Sequence, residues 1–176
     1  MLLKKFSFKK VKSTNNVAIR KIKSGFLNGI IVSDEQSKGR GTYGKKWISI
    51  KGNLFTTIFI PIKKNYDQVK ITDINCNLIK ECINKIIKKK IIVKKPNDLL
   101  IEKKKICGIL QEMYIYKKKH FMILGIGINI IKSPYLDEYK TTFINKYLKK
   151  KISRDKVFDS LKKIYENKII KFEKCI

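Results

Sequence analysis

Hydrophobic spacing divides the chain into helical and extended stretches. Residues 15–22, entered through Ser13 and Thr14, read as a first helix: a hydroxyl there can accept from first-turn N–H groups, and Gly25 would close the far end. Residues 29–33 read as a short strand, 34–46 as a polar, glycine-rich loop, and 53–61 as a buried strand rich in Thr, Ile and Phe. Between residues 67 and 89, Ile71, Ile74, Leu78, Cys82, Ile83, Ile86 and Ile87 recur at three- and four-residue spacing, the single apolar stripe of a long helix. Four runs rich in β-branched residues follow at 91–94, 99–102, 106–116 and 121–131, with Lys117, Lys118 and Lys119 as the turn between the last two. Val157, Phe158, Leu161, Ile164, Tyr165, Ile169 and Phe172 return to helical spacing in the tail. Consecutive strands set apart from the helices predict an α+β fold in a single domain over residues 1–176.

Composition narrows the classes. At 176 residues the chain can bury a core without disulfides or a structural metal. No apolar run reaches the roughly 18 residues of a membrane span, and the first residues lack a signal peptide's apolar region. A cytoplasmic protein with no membrane partner is expected. The four cysteines form no CxxC pair, so Cys76, Cys82, Cys107 and Cys175 read as free thiols, buried in a reducing compartment. The single histidine, His120, reads as a turn residue.

The net charge of +28 raises nucleic acid as a partner. Yet only Arg20, Arg40 and Arg154 among the 42 basic residues are arginine, and the lysines are spread along the chain. A phosphate-binding face usually recruits Arg for its bidentate fork. The lysines therefore read as solvated faces, with no specific DNA partner and only salt-sensitive, sequence-independent binding.

Four segments carry candidate chemistry. Gly39-Arg40-Gly41-Thr42-Tyr43-Gly44 fits GxGxxG, but no helix follows and no acidic residue occurs between Glu35 and Asp67, so the dinucleotide reading fails. What is left is a loop whose glycines let backbone approach an anion and whose Arg40 supplies a permanent charge. Lys94-Lys95-Pro96-Asn97-Asp98 reads as a tight turn between strands. Lys105 precedes an apolar run with Gly108 inside it, and Gly125 and Gly127 alternate within another. Glycines in strand interiors suggest that something lies against that face.

Taken in order, these segments resemble biotin–protein ligases. The resemblance rests on Ser13-Thr14-Asn15, then Gln36 ahead of Gly39-Arg40-Gly41-x-x-Gly44-x-x-Trp47, then Lys-x-Pro-Asn-Asp at 94–98. Lys105-Ile-x-Gly-Ile-Leu-x-Glu112 and Gly-Ile-Gly-Ile-Asn129 complete it, and it covers about residues 10–131. It implies a mixed β-sheet flanked by helices, similar to the catalytic core of class II aminoacyl-tRNA synthetases. It implies a ligase that activates biotin with ATP and Mg2+ to biotinyl-5′-AMP. Biotin then passes to one lysine of a biotin carboxyl carrier protein, as in acetyl-CoA carboxylase.

By motif position, the resemblance implies that Ser13, Thr14, Asn15 and Gln36 meet the biotin ring, with Gly108, Leu110, Gly125 and Gly127 lining its slot. Gly39, Arg40 and Lys105 would sit at the carboxylate and the reacting phosphate, Arg40 and Lys105 as catalytic cations. Gly41, Thr42, Tyr43, Gly44, Trp47, Lys94, Asn97 and Asn129 would lie on the nucleotide side, and Asp98 would hold Mg2+. Thr42 and Tyr43 stand where the family has arginines, which predicts weaker retention of the adenylate, and Lys95 stands where it has tryptophan. Neither an N-terminal helix-turn-helix nor more than a vestige of the family's small C-terminal β-barrel is expected. A homodimer is compatible with the resemblance. The alternatives are a lipoate or octanoate ligase or transferase of the same superfamily, a non-catalytic biotin-binding remnant, and a basic nucleic-acid-binding module.

Overall fold

The computed structural model describes residues 2–175, with side chains described for residues 2–168. Seven strands form one sheet in the order β1-β2-β3-β7-β6-β5-β4. They are β1 (Lys5–Val11), β2 (Gly29–Gln36), β3 (Leu54–Ile62), β4 (Ile91–Lys94), β5 (Asp98–Ile101), β6 (Lys104–Tyr116) and β7 (Lys119–Ile128). Only β1 and β2 run parallel; every other pair is antiparallel. Three α-helices flank the sheet: α1 (Thr14–Lys23), α2 (Gln68–Asn84) and α3 (Arg154–Cys175). This is the mixed sheet with flanking helices that the motif order implied.

Alternation along the strands divides the core in two. On one face Ile30, Leu54, Ile58, Leu124 and Ile126 pack under the apolar stripes of α2 and α3. On the other Ile31, Phe59, Phe121 and Ile123 meet Val17, Ala18 and Ile22 of α1. Gly125 and Gly127 continue the second row along β7, so the glycines of β7 face the α1 side.

Several local readings need correction. β1 is a strand that the sequence pattern does not predict; its Phe6 and Phe8 alternate toward α1 among Lys5, Ser7, Lys9 and Lys10. The helix expected to reach residue 89 ends at Asn84, because the N–H groups of Ile86 and Ile87 both donate to the Ile83 carbonyl and the chain turns away before β4. His120 lies in β7 opposite Ile62 and Ile115, not in a turn. The turn is Lys117-Lys118, both at positive φ (47° and 63°), the two-residue geometry whose twist suits a hairpin. Gly25 does close α1: at φ 90° it donates to the Ile22 carbonyl, and Phe26 donates back to Lys21. Ile169, Phe172 and Cys175 lie outside the described side chains.

Candidate active site

The floor of the site is where β6 and β7 pair with Gly108 opposite Gly127 and Leu110 opposite Gly125. A Cβ on Gly127 would stand 2.4 Å from Trp47 Cε2, one on Gly108 2.6 Å from Trp47 Cζ3, and one on Gly125 2.4 Å from Asn15 Oδ1. The three glycines therefore let an indole and a carboxamide lie directly on the strands. The Trp47 N–H is buried and has no partner among the described residues.

One end of this cleft is polar and tightly tied. Ser13, Thr14 and Asn15 at the start of α1 are buried and line it. The expected Ser or Thr cap is absent. Instead Gln36, at the end of β2, reaches across, and its Oε1 accepts from the Thr14 backbone N–H at 2.8 Å and from the Thr14 hydroxyl at 3.0 Å. A long amide from the neighbouring strand thus does what a local hydroxyl was expected to do. Thr57 Oγ1 lies 2.8 Å from Thr14 Oγ1 and 2.7 Å from Asn15 Oδ1, joining both to β3. Asn15 Nδ2 donates at 2.8 Å to Glu112, whose other oxygen pairs with Arg40.

The other end is cationic. Lys105 Nζ is held 2.8 Å from Asp98 Oδ1, with the two side chains only 15% and 22% exposed. It sits 5.6 Å from the Trp47 ring centre and 5.1 Å from that of Tyr139. The backbone fixes it on both sides, since Lys105 N donates to the Lys140 carbonyl at 2.9 Å and Thr142 N donates to the Lys105 carbonyl at 2.9 Å. A second cleft opens beyond this point, lined by Ile48, Asn129, Pro134, Leu136 and Thr141. Lys105, Trp47 and Tyr139 line both clefts and form the wall between them. A cation at that wall can face two ligands at once.

Most of the sequence-derived candidates come together here. Ser13, Thr14, Asn15, Gln36, Arg40, Gly41, Thr42, Trp47, Asn97, Asp98, Lys105, Gly108, Leu110, Gly125 and Gly127 line the first cleft. Asn129 lines the second. Gly39 stands behind the wall, where a Cβ would lie 2.4 Å from the Trp47 carbonyl oxygen. Asn97 has its amide engaged, with Nδ2 donating to the Ile109 carbonyl at 2.6 Å. Tyr43 is 92% exposed, and Gly44 lines neither cleft. Lys94 is exposed at the end of the edge strand β4 and lines neither cleft.

Tyr139, Thr57 and Glu112 join this arrangement in space without being predicted as site residues from the sequence. Glu112 closed a recognised motif, so its spacing was visible, but Tyr139 sits in an irregular segment that carries no motif. Asp98 stands without other acids: no group of three or more His, Cys, Asp or Glu gathers among the described residues. The thiols take no part. Burial pushes Cys76 from 9.0 up to about 11 and raises Cys82 and Cys107 as well, so all three are neutral thiols at physiological pH. No described helix is long and apolar enough to cross a membrane.

Known proteins share this fold. Residues 7–129 match the model of the biotin/lipoate A/B protein ligase family. The bifunctional ligase/repressor BirA of Bacillus subtilis is 30% identical over 149 residues, covering 79% of this chain and 45% of that protein. Biotin–protein ligase 2 of Arabidopsis thaliana is 26% identical over 167 residues, 88% of this chain and 49% of its own. The chain thus spans about half the length of the curated relatives it matches. Among solved structures, the biotin protein ligase of Aquifex aeolicus in complex with biotin and ATP superposes with a TM-score of 0.81 at 26% identity, covering 97% of this chain and 72% of that one. The Leishmania major enzyme in complex with biotinyl-5-AMP shares the fold, with a TM-score of 0.79 at 24% identity over 98% of this chain and 81% of that one. With a family model matched over more than half its length, the chain belongs to the biotin/lipoate A/B protein ligase family.

Proposed function

We propose that the protein joins biotin to a lysine of an acceptor protein at the expense of ATP, through biotinyl-5′-AMP. The observation that carries this reading is the shared wall: two clefts meet at Lys105, and in this reading the first takes the acid and the second the nucleotide. The glycine floor and the half-buried Leu110 suit a flat, largely apolar bicycle, and the Thr14, Asn15 and Gln36 cluster offers donors and acceptors to a ureido group.

In the first step a carboxylate oxygen of biotin attacks the α-phosphorus of ATP, and the bond to pyrophosphate breaks. Two anions must approach, and charge builds on the phosphoryl oxygens. A cation fixed between them lowers the repulsion and stabilises that charge. Lys105 is suited to this because Asp98 and two backbone bonds hold it in place beforehand. Arg40, at the rim of the acid slot, adds a second positive charge. In the second step the acceptor's ε-amine attacks the biotinyl carbonyl and AMP leaves. Neither step requires a nucleophile from the chain, in keeping with the protonated thiols and the remote His120.

Magnesium keeps several waters and is commonly bound through one or two carboxylates plus phosphate oxygens. Asp98 alone fits such an ion arriving with the triphosphate, and the ion would neutralise phosphate charge there. The acceptor we infer is a biotin carboxyl carrier domain. Incubation with that domain, biotin and Mg-ATP, followed by mass spectrometry, is expected to show one biotinyl group on one lysine. Transfer of lipoate or octanoate in preference to biotin would shift the assignment to the other branch of the family.

A further inference from the structure

We propose that Glu112 is a positioning residue that, through Arg40, holds the loop of residues 39–47 and its Trp47 closed on the glycine floor. Glu112 lies on β6 four residues past Gly108, on the same face, but lines neither cleft. Its two oxygens divide between two elements. Oε2 accepts from Asn15 Nδ2 of α1 at 2.8 Å, and Oε1 pairs with Arg40 Nη2 of the loop. The other amino group of Arg40 donates to Asn16 Oδ1 at 3.1 Å. Both ends of the Glu112 carboxylate therefore hold residues that do line the site.

The loop behaves as one body. Gly41 N donates to the Lys45 carbonyl at 2.7 Å, Trp47 N donates to the Gly39 carbonyl at 3.0 Å, and Arg40 pairs with Lys46 in a small antiparallel bridge. Fixing Arg40 fixes Trp47, because the residue before Arg40 carries the Trp47 backbone bond. Among the described residues, the loop's other side-chain polar tie to the rest of the protein is Lys45 to Glu138, with both side chains largely exposed and hence weak. The Arg40–Glu112 pair is less exposed, at 40% and 27%. It also comes with a second hydrogen bond on each partner, so it is the stronger fastening. With Thr42 and Tyr43 in place of charged residues, the loop has few other means of attachment.

Trp47 is the only tryptophan, so its fluorescence reports loop closure with no ligand present. Glu112→Gln and Arg40→Gln are each expected to shift Trp47 emission to the red and raise its quenching by acrylamide roughly two- to fivefold, the range an exposed-to-intermediate ion pair supports. The double variant is expected to show no more than either single one, because both remove the same fastening. Arg40→Gln leaves the Glu112–Asn15 bond in place, so it separates the loop from any general effect on α1. If Glu112→Gln does not fold, Arg40→Gln decides alone. Unchanged quenching in a folded variant, or fully additive effects, would overturn the proposal. The consequence for catalysis rests on the function proposed above: Glu112→Gln should raise KM for biotin more than it lowers kcat. Fluorescence changes in a protein that never biotinylates would sink that functional reading while leaving the loop coupling intact.

Discussion

Lys105 is held where two clefts meet, and its value depends on charge that develops only during reaction. Lys105→Ala is expected to slow biotin-dependent pyrophosphate release about 100- to 1,000-fold while changing biotin affinity far less. Equal losses in rate and affinity would make Lys105 a binding residue only. The importance of this lysine was legible in the sequence because it opened a motif with Gly108, Leu110 and Glu112 at fixed spacing. Its partner in space was harder to see. Asp98 lies on the neighbouring strand across an irregular register between Leu99 and Leu100, and such a shift leaves no mark in residue types. Tyr139 was invisible for a related reason, since it reaches the site from a segment with no repeating pattern.

At the level of elements, long-range side chains replaced local ones. The start of α1 had the hydroxyls of a conventional cap, yet Gln36 satisfies the Thr14 N–H from β2. Gln36→Ala is expected to cost about 1 kcal/mol of stability, the size of a lost cap, and Ser13→Ala less. Denaturant midpoints of the two variants would check this, and the opposite order would restore the local cap. The helical stripes of α2 and α3 and the strands from β3 to β7 were readable because apolar spacing of 3.6 or 2 survives a lysine-rich composition. β1 was obscured: its alternating Phe6 and Phe8 are too few against the surrounding lysines. It is recognisable in space because it pairs with β2, a contact that no local pattern encodes. Pro61 shows the converse. It sits inside β3 beyond the last residue paired with β2, where its missing N–H costs no ladder bond on that side.

For the whole molecule, the buried thiols predict how stability depends on pH. Cys76 ionises near 9.0 when unfolded and at about 11 when folded, because burial penalises the thiolate. A folded pKa above the unfolded one means that the unfolded state loses protons first as pH rises. The contribution is complete below 9.0 and is lost progressively up to about 11. Lysine neutralisation acts in the same window by relieving repulsion among 42 basic residues, so the thiol effect is read as a difference. Unfolding midpoints should fall more steeply above pH 9.0 in the parent protein than in Cys76→Ala, and identical slopes would contradict the argument. The overall charge was plain in the sequence, but its arrangement was not. At the clefts, Asp98 holds Lys105 and Glu112 holds Arg40, while most lysines face solvent.

The most direct test of the account is isotope exchange of pyrophosphate into ATP, because it isolates the joining of an acid to the α-phosphate at the Lys105 wall. The account predicts exchange that requires biotin and magnesium, proceeds without any acceptor protein, and is weak or absent with lipoate or octanoate. Exchange that is indifferent to biotin, or that is supported by lipoate or octanoate and not by biotin, would contradict it.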